Sequence, residues 1–181
     1  MKDIVFVTGN AKKAEYFSKC IDLPVQYEAV TLEEIQSLNI QEIAQHKLEQ
    51  AYEKLHKPVL IEDLSLEFEG LNGLPGTFVK FFLETLPLQD ICDLLKGKTR
   101  IATVKSVIGY KDGDQTKLFE QVSCGTISET PRGSGGFGWD PIFIPDGYNQ
   151  TRAEMNEEDD EITFKALKPF GALREFLQRS V

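Results

Sequence analysis

The chain opens on a short apolar run, Ile4 to Val7, which reads as a buried strand of the parallel type. It passes directly into Thr8-Gly9-Asn10-Ala11-Lys12-Lys13. A helix is expected from about Ala11, with Ala14, Phe17 and Ile21 on its inner side. Pro24 to Val30 reads as a second strand, and Thr31 to Ser37 as a connection carrying Glu33 and Glu34. Asn39 then begins a long helix, and with Glu42 three residues on it resembles a capping box. Ile40, Ile43, Ala44, Leu48, Ala51, Tyr52 and Leu55 keep helical spacing, with Lys47 the polar member of the stripe. Pro58 to Ile61 is another buried strand, delivering Glu62 and Asp63 at its C-terminal end. After a turn-rich segment, Leu71 to Gly76, a helix capped by Gly76 or Thr77 is expected, with Phe78, Phe81, Phe82 and Leu86 forming an apolar face and Lys80 off it. A shorter helix covers about Leu88 to Leu95.

The period then changes from helical to two. Ile101, Thr103, Lys105 and Val107 alternate with Ala102, Val104, Ser106 and Ile108. Lys111-Asp112-Gly113-Asp114 is a hairpin turn signal, and Leu118 to Ile127 returns as the partner strand. A glycine-rich stretch, Gly133 to Met155, encloses a short apolar strand, Ile142 to Ile144. The acidic run Glu157 to Glu161 reads as a solvated loop, and Thr163 as the cap of a last helix carrying Leu167, Phe170, Leu173, Phe176 and Leu177. Alternating strands and helices followed by a hairpin imply an α/β fold with a mixed sheet. No composition shift marks a linker, so residues 1–181 read as a single domain.

Charge narrows the function. Across 181 residues the net charge is −9, with 41% apolar and 27% charged residues, an ordinary soluble composition. Grip on a nucleic-acid backbone comes mainly from Lys and Arg, so so acidic a chain points away from nucleic acid as a partner. A free nucleotide needs only a local cationic pocket. No apolar stretch is long enough to span a bilayer, and the N-terminus shows no secretory pattern. Three scattered cysteines without metal-ligand spacing suit a reducing cytoplasm. With only His46 and His56 on one polar helix, a histidine triad or histidine metal site lacks material.

Three stretches carry candidate chemistry. Thr8 to Lys13 joins a strand to a helix N-terminus, where free N–H groups and the dipole favour a phosphate. Lys12 and Lys13 oppose that dipole, which points to an anion; a plain βα turn with solvated lysines is the bland alternative. Glu62 and Asp63 at a strand end can hold Mg²⁺ or supply a general base for water, although successive strand residues face opposite ways. Their bland alternative is a cap. In Gly133 to Met155, Phe137 and Trp139 stand among glycines, where a packed core is an unexpected use for them and stacking on a base a plausible one. Asp140 follows at the edge of the apolar strand. A surface loop with aromatic plugs is the competing reading.

Taken together, TGNAKK at Thr8 to Lys13, VLIEDLSLEFEGLNGLPG at Val59 to Gly76 and GFGWDPIFIPDGYNQTRAEM at Gly136 to Met155 resemble the inosine triphosphate pyrophosphatase, or HAM1-like, family. The resemblance implies an elongated mixed sheet flanked by helices in two lobes, with the active cleft between them. It implies a Mg²⁺-dependent, homodimeric, cytoplasmic enzyme that splits nucleoside triphosphates such as ITP, dITP and XTP into monophosphate and pyrophosphate. By the same resemblance Thr8, Gly9, Asn10 and Lys13 hold the triphosphate, and Lys47 and Lys80 face the phosphates instead of solvent. Asp63 binds the metal and activates water, Glu34 is the second metal carboxylate, and Phe137, Gly138, Trp139 and Asp140 clamp base and sugar.

The chain departs from that pattern in two places. The family closes with K-N-x-x-S-H-R before its last helix, its His and Arg reading the purine 6-oxo group. Here those seven places hold Glu157 to Thr163, with Ile162 for the histidine and Thr163 for the arginine. Leu64 stands where the family has Ser or Thr beside Asp63. Altered or relaxed base preference is the expected consequence. The alternative is a degenerate member that binds nucleotide or a protein partner without efficient hydrolysis.

Overall fold

In a computed structural model, the described residues are 3–21 and 25–179. The apolar run at the start forms β1 (Val5–Val7), buried throughout, and leads into α1 (Ala11–Ile21). β1 pairs in parallel with both β2 (Gln26–Glu28) and β3 (Val59–Phe68), which places β1 between them. Pro24, the first residue of the expected second strand, lies outside the described residues. α2 (Ile40–Leu55) follows β2 and turns Ile40, Ala44, Leu48 and Ala51 inward, the residues that the helical spacing selects. β4 (Pro75–Gly76) pairs antiparallel with β3, and the short helices α3 (Val79–Thr85) and α4 (Leu88–Asp93) come next. β5 (Ile101–Lys111) and β6 (Thr116–Ile127) are sheet neighbours joined by four residues, a connection only an antiparallel pair can make. β7 (Phe143–Pro145) pairs antiparallel with β6, and α5 (Glu157–Ala166) and α6 (Phe170–Arg179) end the chain.

The sheet order is β2-β1-β3-β5-β6-β7, with β4 on β3, so the sheet is mixed as the patterning implies. The chain divides into two compact units. One comprises the chain up to Asp63, residues 106–121 and the chain from Lys168; the other holds residues 64–105 and 122–167. The first packs Val5, Val7, Ala44, Leu48, Val59, Ile61 and Val107 into its core. The second packs Leu66, Phe68, Ile91, Leu95, Val104, Ile142 and Phe143.

Four local expectations are corrected. β3 runs to Phe68, so Glu62 and Asp63 lie within the strand, not at its end. Phe78 occupies the cap of α3 without a side-chain bond, and neither Gly76 nor Thr77 does so. The acidic run is not a loop. It forms the first turns of α5, where Asn156 caps the helix by accepting from the Asp159 N–H and four acids face the positive end of the dipole. Thr163 is therefore internal to α5 and buried; its hydroxyl donates back to the Asp159 carbonyl at 2.8 Å.

Candidate active site

The β1–α1 turn is built by its own side chains. The Thr8 Oγ1 accepts from the Asn10 N–H at 3.2 Å, and the Asn10 Oδ1 accepts from the Lys13 N–H at 3.1 Å. Asn10 thus caps α1, whose first turn carries no acidic residue, so the positive end of the helix is left to a ligand or to solvent. Thr8 is tied to β2 through its N–H to the Glu28 carbonyl at 3.0 Å. A Cβ on Gly9 would meet nothing within 4 Å, so sterics of the protein alone do not require glycine there.

Lys13 crosses from α1 to β3. Its Nζ lies 3.2 Å from the Glu62 Oε2 and donates to the Glu62 carbonyl at 3.3 Å. The other Glu62 oxygen is held by Lys168, and both of those side chains are buried. A buried charge must be paired, and here one carboxylate serves two ammonium groups. Burial is the main cause that brings the Lys13 pKa down to about 8, against the attraction of Asp63. Burial, and then the Lys13 charge, also push Lys168 well below the ordinary lysine range.

Asp63, next along β3, faces the other way, as the strand period requires. Its Oδ1 lies 2.7 Å from the Lys47 Nζ, and the same ammonium lies 3.0 Å from the Glu34 Oε1. Lys47 therefore does not snorkel to solvent; it bridges the two carboxylates implied as metal ligands. Burial is the largest single influence and lowers its pKa, but the attraction and hydrogen bonds of Asp63 and Glu34 together outweigh it and raise the pKa above the usual lysine value. The second Asp63 oxygen, Oδ2, is buried with no hydrogen-bond partner. An unmet carboxylate oxygen beside a second acid is a donor set that suits a hard divalent cation. Among the described residues no cluster of three or more His, Cys, Asp or Glu side chains is arranged as a metal site. Mg²⁺ held here by Glu34 and Asp63 would take its remaining ligands from water and phosphate.

The second unit holds the glycine-rich stretch. Phe137 is 54% exposed, a bare aromatic ring, whereas Trp139 packs on the core with its ring edge-on to Phe143 at 5.2 Å. The expectation that neither aromatic serves a core is thus corrected for Trp139. Asp140 is buried with both oxygens occupied. Oδ2 accepts from the Phe137 N–H at 2.8 Å, and Oδ1 lies 3.2 Å from the Arg152 Nη1. Burial raises its pKa, and Arg152 opposes that shift. Gly136 has a φ of 67°, and a Cβ there would come 2.3 Å from the Asp140 Oδ2, so the loop closes only around glycine. Gly138, with φ 63°, is exposed, and Lys80 is exposed on α3.

The first unit thus joins Glu34, Lys47 and Asp63 in one run of contacts and holds Lys13 on the neighbouring Glu62, and the second assembles Phe137, Asp140 and Arg152. Three participants have partners that the sequence does not place. Lys168 is 106 positions from Glu62, and no local pattern connects them. Arg152 and Asp160 pair at 2.5 Å across eight positions, beyond the reach of a single helix turn. Asp160 carries a faint signal, as one acid in a run that a preceding Asn can cap.

Comparison with known proteins shows the family and the fold. The Ham1 family model matches residues 4–175. The chain is 42% identical over 161 residues to inosine triphosphate pyrophosphatase 2 of Trypanosoma cruzi, covering 86% of this chain and 82% of that protein. It is 38% identical over 178 residues to the dITP/XTP pyrophosphatase of Thermococcus kodakarensis, covering 96% and 94%. A HAM1 protein from Coxiella burnetii has the same fold, with a TM-score of 0.85 at 23% identity over 99% of this chain and 100% of that one.

Proposed function

The chain belongs to the Ham1 family, and on that premise we propose that it is a Mg²⁺-dependent nucleoside triphosphate pyrophosphatase with an altered base preference. The observation that carries the reading is Asp63, whose Oδ1 is fixed by Lys47 while its buried Oδ2 has no partner. The metal, when bound by Glu34 and Asp63, supplies charge neutralisation to the phosphates. The protein does the rest. In the first unit Lys13 and the start of α1 hold phosphate oxygens and Lys47 keeps Asp63 in place; in the second, the exposed ring of Phe137 offers a stacking face for a base. Asp63 takes a proton from water as the water oxygen bonds to the α phosphorus. The α–β anhydride bond breaks, and pyrophosphate leaves with the electron pair. A homodimer in the cytoplasm, which the family resemblance implies, completes the proposal; the three cysteines are unbridged.

The altered preference rests on α5. Ile162 is exposed and apolar, and the Thr163 hydroxyl is spent on backbone carbonyls of its own helix. Neither gives a base the donors that the family's His and Arg would. A charged donor to a keto oxygen is worth about 1.5–3 kcal/mol, so discrimination between 6-oxo and 6-amino purines should fall by about one to two orders of magnitude. Pyrophosphate release measured from ITP, XTP, dITP, dUTP and the standard nucleotides, with Mg²⁺ and with chelator, tests this. No release from any of them by folded protein would overturn the reading.

The pH profile offers a separate check. Lys13 must be protonated to meet a polyanion, and its free-enzyme pKa is about 8. The ratio kcat/KM reports groups of the free enzyme, so it should fall as pH rises through about 8. Lys13→Arg, always charged, should keep the ratio level there. A wild-type profile as level as that of the arginine variant would remove Lys13 from phosphate binding.

A further inference from the structure

The acidic segment that replaces the family's basic closing residues has a structural target. Arg152 opens the short 3₁₀ turn Arg152–Glu154 near the end of the glycine-rich stretch, and the turn packs back on the start of that stretch. The Gly135 N–H donates to the Ala153 carbonyl at 3.0 Å, and the Ala153 N–H donates to the Asp140 carbonyl at 3.2 Å. Thr151 and Glu154 fix the turn with a reciprocal capping box. From this base the Arg152 guanidinium reaches Asp140 with Nη1 at 3.2 Å and Asp160 with Nη2 at 2.5 Å. It also lies over the Phe164 ring, 5.7 Å from its centre. Asp160 and Phe164 are four apart on α5 and so share a face, which grips Arg152 by charge and by ring. The chain of contacts ends at the exposed ring, since the Asp140 Oδ2 holds the Phe137 N–H.

We infer that Asp160 and Arg152 are positioning residues, through which α5 holds the Asp140–Phe137 segment in the shape that receives the base. The inference rests on the function proposed above. It gives the acidic segment a second role: it no longer reads the base, and it sets the loop that stacks on it. On α5, Asp160 makes the contact with Arg152, while Glu158 is exposed on the first turn. Arg152 itself is only 4% exposed and committed to two carboxylates, so it acts through Asp140 and does not touch the nucleotide.

Asp160→Asn and Glu158→Gln each remove one negative charge from α5, but only the first touches the guanidinium. Losing a charged hydrogen bond costs on the order of a tenfold change in equilibrium, so Asp160→Asn should raise KM about tenfold with kcat nearly unchanged. Exposed charges contribute little, so Glu158→Gln should leave both values near wild type. Asp160→Glu should recover most of the loss. The chain's one tryptophan supplies a readout that needs no turnover, because Trp139 lies between Phe137 and Asp140 in sequence. In ligand-free protein, acrylamide quenching of Trp139 should increase in Asp160→Asn and in Arg152→Lys, with far-UV circular dichroism confirming the fold. Equal KM and equal quenching in Asp160→Asn and Glu158→Gln would overturn the inference. If wild-type protein releases no pyrophosphate, the proposed function falls, and the quenching comparison alone still decides whether α5 holds the loop.

Discussion

Replacing Asp63 with asparagine should lower pyrophosphate release by about two to four orders of magnitude, the usual contribution of a positioned general base. Asparagine preserves the shape and keeps one oxygen to accept from Lys47, so the ammonium that lies 2.7 Å from the Asp63 Oδ1 need not move. What disappears is the negative charge, and with it the proton acceptor and half of the carboxylate pair that Lys47 bridges to Glu34. Folding should not suffer. The Asp63 Oδ2 is a buried acceptor without a partner, and removing a desolvated charge removes a cost. The expected result is therefore an inactive protein with a melting temperature equal to or above that of the wild type. Chelator should bring wild-type activity down towards the same level and change Asp63→Asn little further. Wild-type rates in Asp63→Asn would end the role given to this residue. A large fall in melting temperature would instead show that Asp63 serves the fold through Lys47.

Much of this site is visible in the sequence because its parts are local. Thr8, Asn10 and Lys13 act within one turn, and two side-chain bonds inside that turn set the helix start. Glu62 and Asp63 announce themselves as acids in an apolar run, and the strand period sends them to different partners. What escapes is decided by tertiary packing. Whether Lys47 snorkels or bridges depends on Glu34, which arrives from 13 positions away in a connection without a regular pattern. Trp139 resembles Phe137 in its surroundings along the chain, yet one ring finds Phe143 and the other stays exposed. The acidic run is a different case, because its signal is present and is outweighed by composition. Asn156 three residues before Asp159 is a helix start, and acids in a first turn are favourable there. A charge run reads as solvent-facing loop only while the cap is overlooked.

The buried cluster at Glu62 leads to the second large effect. Lys168→Met should destabilise the protein by about 3 kcal/mol, the lower end for breaking a buried ion pair, because Lys13 remains as a partner for Glu62. For a chain of this length that corresponds to a fall of about 6–12 °C in melting temperature. The double variant Glu62→Leu/Lys168→Met should recover most of the loss, since a buried pair replaced by apolar groups of similar volume is near neutral. Activity should not recover with it. Lys13 would keep its bond to the carbonyl at position 62 but lose the carboxylate 3.2 Å away, which now holds its ammonium against β3. KM for the triphosphate should stay raised by about tenfold, the scale of one lost charged hydrogen bond. A single variant as stable as wild type would show that Lys168 does not compensate Glu62. A double variant with wild-type KM would show that Glu62 does not position Lys13. The expected split, stability restored while binding is not, would separate the two duties of one carboxylate: neutralising a buried lysine on one side and aiming a phosphate-binding lysine on the other.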